Sequence, residues 1–226
     1  MSARGIWAIV PVKETAGAKQ RLAAVMAQET RQKLALVMLE DVLSALAGAR
    51  GLAGIAVVTI DAAAQDLCAR YGVRVLADNA MAGHTAAVMA AAHTLVAEGA
   101  SGMLTVPGDI PLVTADEISR LLSMHGTAPA FTIVPARDER GSNAVLMSPP
   151  GAVPLKFGND SFLPHIAAAE RLNIKPAILR MPGIGLDIDR PDDLADFLRM
   201  RSRTRTQVFL DRHNIRILVM GRQVAS

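Results

Sequence analysis

The sequence predicts an α/β fold, a mostly parallel twisted sheet flanked by helices. Three observations lead there. From residue 5 to residue 124, short apolar runs alternate with stretches of helical periodicity, the pattern of successive strand-helix units. Hydrophobic residues make up 51% of the chain but aromatic residues only 3%, so the core is aliphatic, as under helix-covered parallel strands. At 226 residues the chain suits one sizeable core, because domains usually run to roughly 100–200 residues and some to about 250.

Each element has a local reason. Residues 5–13 read as a strand, and residues 29–47 as a helix with Leu34, Val37, Met38, Leu39, Val42 and Leu46 at helical spacing. Residues 48–54 break the pattern before a strand over 55–60, a helix over 62–71 and a strand over 74–77. A loop over 78–83 leads to an alanine-rich helix over 85–98, then a strand over 102–106 that stops at Pro107-Gly108. Thr114 opens the next helix, 114–124, with Glu117 three residues on, the spacing of a capping box. In the second half, residues 130–135 and 143–147 read as neighbouring strands around the polar loop 136–142. After the Pro- and Gly-rich segment 149–158 come a helix over 161–172, short strands over 176–181 and 186–188, and a helix over 191–200 begun by Pro191. The expected division is one domain over 1–203 and a C-terminal extension over 204–226 that packs on it or stays mobile.

Composition narrows the classes of function. The longest apolar stretch, 85–97, is interrupted by His93 and falls short of the ~20 residues that span a bilayer. No transmembrane helix or membrane partner is expected. The first residues enter a strand without a basic leader, and the single cysteine, Cys68, cannot form an intrachain disulfide, so a cytoplasmic location is expected. Cys68 lies in a helical stretch with no activating neighbour. Arginine occupies every second position from Arg199 to Arg205, with Arg212, Arg216 and Arg222 beyond, and the net charge is +3. Without interleaved aromatics or a recognisable module, this run reads as a solvated helix end, not a nucleic-acid surface.

The chemistry gathers at strand ends. Asp109 follows the apolar run 104–106 at the C-terminal edge of its strand, where open α/β sheets bind ligands. An acid there either closes the turn or holds magnesium against nucleotide phosphates. Lys13, Lys19 and Arg21 follow the first strand, a basic loop that suits a triphosphate but lacks Walker spacing. Asp187 and Asp189 alternate along a short extended segment, so they face one side and converge with Asp109 on a metal, unless Asp189 merely caps the next helix.

These pieces together resemble the 2-phospho-L-lactate guanylyltransferase family of deazaflavin coenzyme F-420 biosynthesis. The resemblance is carried by Pro11-Val12-Lys13, Ala18-Lys19-x-Arg21-Leu22, Asp41, residues 107–112, Arg137-Asp138 through Gly141-Ser142-Asn143-Ala144, residues 157–162 with His165, and residues 186–189 before Pro191. No single piece is specific; their order along residues 6 to about 200 is. It implies a GT-A-like nucleotidyltransferase fold and transfer of GMP from GTP to a three-carbon phospho-acid, with release of pyrophosphate. The acceptor would be 3-phospho-D-glycerate, 2-phospho-L-lactate or phosphoenolpyruvate. The resemblance places magnesium on Asp109, Asp187 and Asp189, and the phospho-acid on Asn143, Gly158 and Ser161. It places the nucleotide on Pro11, Val12, Lys13, Lys19, Arg21, Gly83, Thr85, Pro107 and Gly108, with Lys13, Lys19, Arg21 and Asp109 as the catalytic set.

Gly83-His84-Thr85 departs from the Gly-Leu-Asn loop more usual in relatives, which bears on the choice of base. The Asn143 amide, offering donors and an acceptor, is expected to pair with a substrate hydroxyl and so to favour a hydroxylated acid over phosphoenolpyruvate. His165 either touches the acceptor or packs and caps its helix. Other readings are a molybdenum-cofactor guanylyltransferase, a sugar-phosphate cytidylyltransferase, or a catalytically silent nucleotide-binding protein on the same fold. A homodimer is the default expectation.

Overall fold

The computed structural model describes residues 4–77, 83–158 and 160–215. Most of the expected loop over 78–83, Asn159 and the arginines at 216 and 222 therefore lie outside the described residues. Seven strands form one sheet in the order β3-β2-β1-β4-β6-β5-β7. In chain order they are β1 (Ile6–Pro11), β2 (Leu52–Val58), β3 (Arg74–Leu76), β4 (Gly102–Thr105), β5 (Ala130–Pro135), β6 (Ser142–Ser148) and β7 (Pro176–Ile178). Only β6 runs against its neighbours, β4 and β5; the other pairings are parallel. The helices are α1 (Gln28–Gly48), α2 (Ala62–Arg70), α3 (His84–Ala97), α4 (Ala115–Ser123), α5 (Phe162–Arg171), α6 (Pro182–Gly185), α7 (Pro191–Arg199) and α8 (Arg205–Arg212). Among the described residues no helix is long and apolar enough to cross a membrane.

The period-two alternation of the strands sorts their side chains onto two faces. Ala8, Val10, Leu104, Ala144 and Leu146 join one core cluster under α1, α2 and α4. Ile9, Met103, Val145 and Met147 join the other, under α3 and α5. Small and branched aliphatic side chains fill both layers, which is why the chain needs few aromatics.

The strand register lines up several strand ends. Pro11 pairs with Val58, Ile9 with Thr105, Thr105 with Val145 and Pro135 with Ser142. The ends of β1, β2, β4 and β5 and the start of β6 therefore share one edge of the sheet, the edge where α/β folds bind ligands.

The second strand runs over Leu52–Val58, three residues earlier than expected at its start, and two expectations for the second half need correction. Residues 186–188 do not form a strand. Instead α6 makes one turn over 182–185, and an extended link then runs beside the β4 loop, where the Ile188 N–H donates to the Asp109 carbonyl at 3.0 Å. The turn is clamped by Glu117: its carboxylate closes the capping box with Thr114 and also accepts the Gly183 N–H at 2.8 Å. A Cβ at Gly183 would run into that carboxylate and the Leu112 carbonyl, so only glycine fits. The strand expected over 176–181 is also shorter: its register with β5 covers Pro176 to Ile178, and the Leu179 N–H follows with a bond to the Ile133 carbonyl at 2.9 Å.

The third core cluster joins α7 and α8 to the first half of α1 through Leu34, Met38, Leu194, Phe197, Leu198 and Leu210. Asp41 fastens α8: its carboxylate accepts from the Arg205 and Thr206 amides at 2.9 Å each and from the Thr206 hydroxyl at 2.7 Å. The carboxylate sits at the helix's first turn, where its charge also suits the dipole. Hydrogen bonds to a charged group contribute about 1.5–3 kcal/mol each and are not additive. Asp41→Ala should therefore destabilise the fold by roughly 2–4 kcal/mol in urea unfolding and open the chain after α7 to limited proteolysis. An unchanged unfolding midpoint would show that α8 does not depend on this anchor.

Candidate functional site

The shared sheet edge opens into two adjoining clefts. The first, about 780 Å³, is lined by the loop from Pro11 to Lys19 together with Ile60, Pro107, Gly108 and Asp109. The second, about 850 Å³, is lined among others by Arg137, Arg140, Ser142, Asn143, Phe157, Gly158, Ser161 and Asp187. Lys13, Gly83, His84, Pro107, Asp109 and Asp189 line both and so form the boundary.

At that boundary an ammonium sits among carboxylates. Lys19 Nζ donates to Asp109 Oδ2, and to Asp189 Oδ1 at 2.7 Å, while Arg21 Nη1 reaches Asp189 Oδ2 at 3.4 Å. Burial works to lower the Lys19 pKa, but Asp109 and Asp189 outweigh it and push the ammonium up to about 12. Burial likewise tends to raise Asp189, and Lys19 with Arg21 overcomes it and holds the carboxyl below the usual range. Asp187 is in the opposite situation. Burial and the nearby Asp109 charge push it up to about 6, against the Asn143 amide, which donates to Asp187 Oδ1 at 3.1 Å.

The loop that carries Lys19 is held in an unusual shape. Lys19 has φ 55° and ψ 42°, the left-handed region that costs a non-glycine residue about 1–2 kcal/mol. Arg31, itself buried, stabilises the loop by donating from Nη1 to the Met26 carbonyl at 2.8 Å and from Nε to the Ala18 carbonyl at 3.4 Å. The preceding turn is held by Asp61, whose Oδ2 accepts the Thr15 amide at 2.7 Å and the Thr15 hydroxyl at 2.8 Å. Asp61 also caps α2 through the Ala64 amide, so the end of β2 fixes one wall of the first cleft.

The sequence-expected site residues divide between the clefts. Pro11, Val12, Lys13, Lys19, Gly83, Pro107 and Gly108 line the first. Arg21 and Thr85, expected at the nucleotide, line the second instead. Thr85 accepts the Phe157 amide at 3.0 Å, which ties the start of α3 to the loop that carries Gly158. Gly83 begins α3 at φ +94°, a backbone that L side chains rarely adopt. Asn143, Gly158 and Ser161 line the second cleft together. Asn143 nevertheless departs from expectation: its amide donates to the Ile184 carbonyl at 3.0 Å and to Asp187, so both hydrogens are engaged within the protein. The amide cannot donate to a substrate without giving up one of these bonds, and it serves Asp187 instead.

Other residues are assigned no role at the site from the sequence. His84 lies at the boundary with its ring 4.5 Å from that of Phe157, and burial lowers its pKa to about 4, with Asp109 opposing and Lys13 reinforcing the shift. Arg137 pairs with Asp196, and Arg140 with Asp160 at 2.7 Å, so the cationic wall of the second cleft is held by acids outside it. Cys68 is buried in α2 with its thiol pushed up to about 11, which suits packing and not nucleophilic attack.

His165 does not line either cleft. It is buried at 1% exposure, and desolvation lowers its pKa to about 4. The unfolded chain, with a histidine pKa near 6.5, therefore binds a proton that the folded state refuses between about pH 6.5 and 4. The contribution of neutral His165 to stability is fully present above that window and is lost as pH falls through it. Urea unfolding should show stability declining from pH 7 to pH 5, with a smaller decline in His165→Gln; an equal slope in the variant would remove His165 as a source.

The residues present fit a magnesium ion. The Lys19 ammonium already occupies a cation's place between two carboxylates, and Asp187 adds a third acid, raised by burial and by the Asp109 charge. Among the described residues no three acid, imidazole or thiol groups converge as a complete metal cage. Magnesium does not require one, because it is commonly held by one or two carboxylates together with substrate phosphates and water.

Comparison with known proteins gives this geometry its context. The family described as guanylyl transferase, CofC-like, matches residues 6–224. A phosphoenolpyruvate guanylyltransferase from Rubrobacter xylanophilus is 38% identical over 190 residues, 84% of this chain and 92% of that protein. A 3-phospho-D-glycerate guanylyltransferase from Colwellia psychrerythraea is 33% identical over 199 residues, 88% of this chain and 93% of that one. Among solved structures, a Desulfovibrio desulfuricans protein described as a nucleotide-diphospho-sugar transferase superposes with a TM-score of 0.74. That match covers 98% of each chain at 18% identity and bears on the fold alone.

Proposed function

The chain belongs to the CofC-like guanylyl transferase family and is a guanylyltransferase acting on a phospho-acid; from that premise we propose a reaction, a division of the site and a metal. GMP passes from GTP, bound in the first cleft, to a three-carbon phospho-acid in the second, and pyrophosphate leaves. The observation that carries this reading is the boundary: Asp109 and Asp189 line both clefts and share the Lys19 ammonium. A group moved from one substrate to another must react where the two pockets meet.

The acceptor's phosphate is already ionised near neutral pH, so the protein has no proton to remove. Its task is alignment and charge stabilisation. Lys13 and Lys19, on the first cleft, neutralise the triphosphate, Arg21 balances Asp189 from the second cleft, and Lys19 passes from its carboxylates to the departing pyrophosphate oxygens. Asp109, Asp187 and Asp189 would hold magnesium, which supplies charge neutralisation between the phosphate oxygens. Gly158 and Ser161, with the Arg137 and Arg140 wall, receive the acid.

Phosphoenolpyruvate is the acceptor to test first. It is the substrate in the name of the Rubrobacter relative, and both Asn143 amide hydrogens are engaged within the protein, which leaves only Oδ1 to meet a substrate hydroxyl. The place we propose for the product is deazaflavin coenzyme F-420 biosynthesis. Mass spectrometry of reactions crossing four nucleoside triphosphates with phosphoenolpyruvate, 3-phospho-D-glycerate and 2-phospho-L-lactate tests it. The expected product is guanylylated phosphoenolpyruvate with pyrophosphate, dependent on magnesium. A cytidylylated or uridylylated product would overturn the assignment of the nucleotide, and a dominant guanylylated 3-phospho-D-glycerate that of the acid.

A further inference from the structure

His165 lies behind the second cleft, and its two ring nitrogens have partners of different kinds. Nε2 is 2.9 Å from the Lys156 backbone nitrogen, which only donates, so Nε2 is the unprotonated nitrogen. A neutral ring then carries its hydrogen on Nδ1, 3.0 Å from Ser142 Oγ, and donates there. Ser161 Oγ lies 3.2 Å from the same Ser142 oxygen. Both serines line the second cleft.

The proton count has one outcome. Two hydroxyls sharing one hydrogen bond use one of their two protons. If Ser161 donates to Ser142, the Ser142 oxygen is filled by Nδ1–H and Ser161, and its own proton remains. If Ser142 donates, the Ser161 proton remains. Either way the pair is left with one donor to give to the cleft, and an oxygen anion, which only accepts, is the matching partner.

We propose that His165 is a positioning residue that fixes the Ser142–Ser161 pair as a hydrogen-bond donor to an anionic oxygen of the phospho-acid. The proposal rests on reading the second cleft as the acceptor site. It assigns a role to Ser142 as well, as the hydroxyl through which His165 reaches the substrate. The Lys156 bond offers a competing role, in which His165 only pins the loop before Gly158.

Two variants separate these roles. In His165→Asn the amide nitrogen stands near the place of Nδ1 and still donates to Ser142; in His165→Gln the amide oxygen stands near Nε2 and still accepts from Lys156. The expected result is that His165→Gln and Ser142→Ala each raise the KM for the phospho-acid by about tenfold, from the loss of an oriented bond to a charged group. The KM for GTP should stay within about twofold, and His165→Asn should remain close to wild type. The reverse order, with Gln retained and Asn impaired, would overturn the proposal in favour of the loop pin. Acid-selective effects from Ser142→Ala and Ser161→Ala with a silent His165→Gln would overturn the relay but leave the acceptor cleft standing. Effects of the serine variants on GTP instead would overturn the reading of the cleft itself. The wild-type protein offers a check that needs no substitution: the nitrogen-15 shifts of His165 should show Nδ1 protonated and Nε2 bare at neutral pH, and the opposite tautomer would contradict the assignment.

Discussion

Asp109→Asn should lower turnover by at least about 10³-fold while leaving the melting temperature close to wild type. Removing one electrostatic stabiliser from an active site typically costs about 10²–10³ in rate, and the proposed reaction gives Asp109 two such roles. Its carboxylate seats the Lys19 ammonium, and it lies on the boundary between the clefts, where charge moves during transfer. An asparagine keeps the shape but gives up the charge. The fold should tolerate the change because Asp109 is a partly exposed loop residue, and the main-chain bond to Ile188 uses only its carbonyl. Steady-state pyrophosphate release and circular dichroism melting measure the two quantities separately. Turnover within tenfold of wild type would remove Asp109 from the reacting centre.

Lys19→Met should be nearly as damaging, with turnover reduced at least about 10²-fold. The buried ammonium is the positive charge nearest the two boundary carboxylates. Breaking a fully buried ion pair by removing one partner costs about 3–5 kcal/mol. Here the stranded Asp109 and Asp189 side chains are 27% and 43% exposed, so water compensates and the loss of stability should be well below that range. Lys19→Arg should not restore activity, since a planar guanidinium cannot take the place of a compact ammonium between two carboxylates. Full activity in Lys19→Arg would show that only net charge matters at this position.

Much of this architecture is legible in the sequence because it is written in local periodicity. The alternating Ala8-Ile9-Val10 and Val145-Leu146-Met147 runs sort to opposite faces of the sheet as period two requires. The Thr114 to Glu117 spacing forms the capping box it predicts. Where the pattern misleads, the deciding partner is distant in sequence. Residues 186–188 alternate like a strand, but their backbone is claimed by the Asp109 loop. Asn143 carries donors a substrate could use, but Asp187 and Ile184, more than forty residues later, take them. Thr15 and Asp61 are 46 residues apart and together shape the first cleft, and no motif in either segment announces the pairing. The acids and the basic loop are visible as chemistry at strand ends; their common meeting at Lys19 depends on a left-handed turn that a lysine does not signal.

The central claim is that two substrates occupy separate clefts on either side of the Asp109 and Asp189 boundary. Steady-state KM values for both substrates, measured in Ile60→Glu and Ser161→Ala, test it most directly. Ile60 lines the first cleft only and Ser161 the second only. Ile60→Glu should raise the KM for GTP and spare the acid, while Ser161→Ala should raise the KM for the acid by roughly ten- to 150-fold and spare GTP. Both variants raising the KM of the same substrate would contradict it.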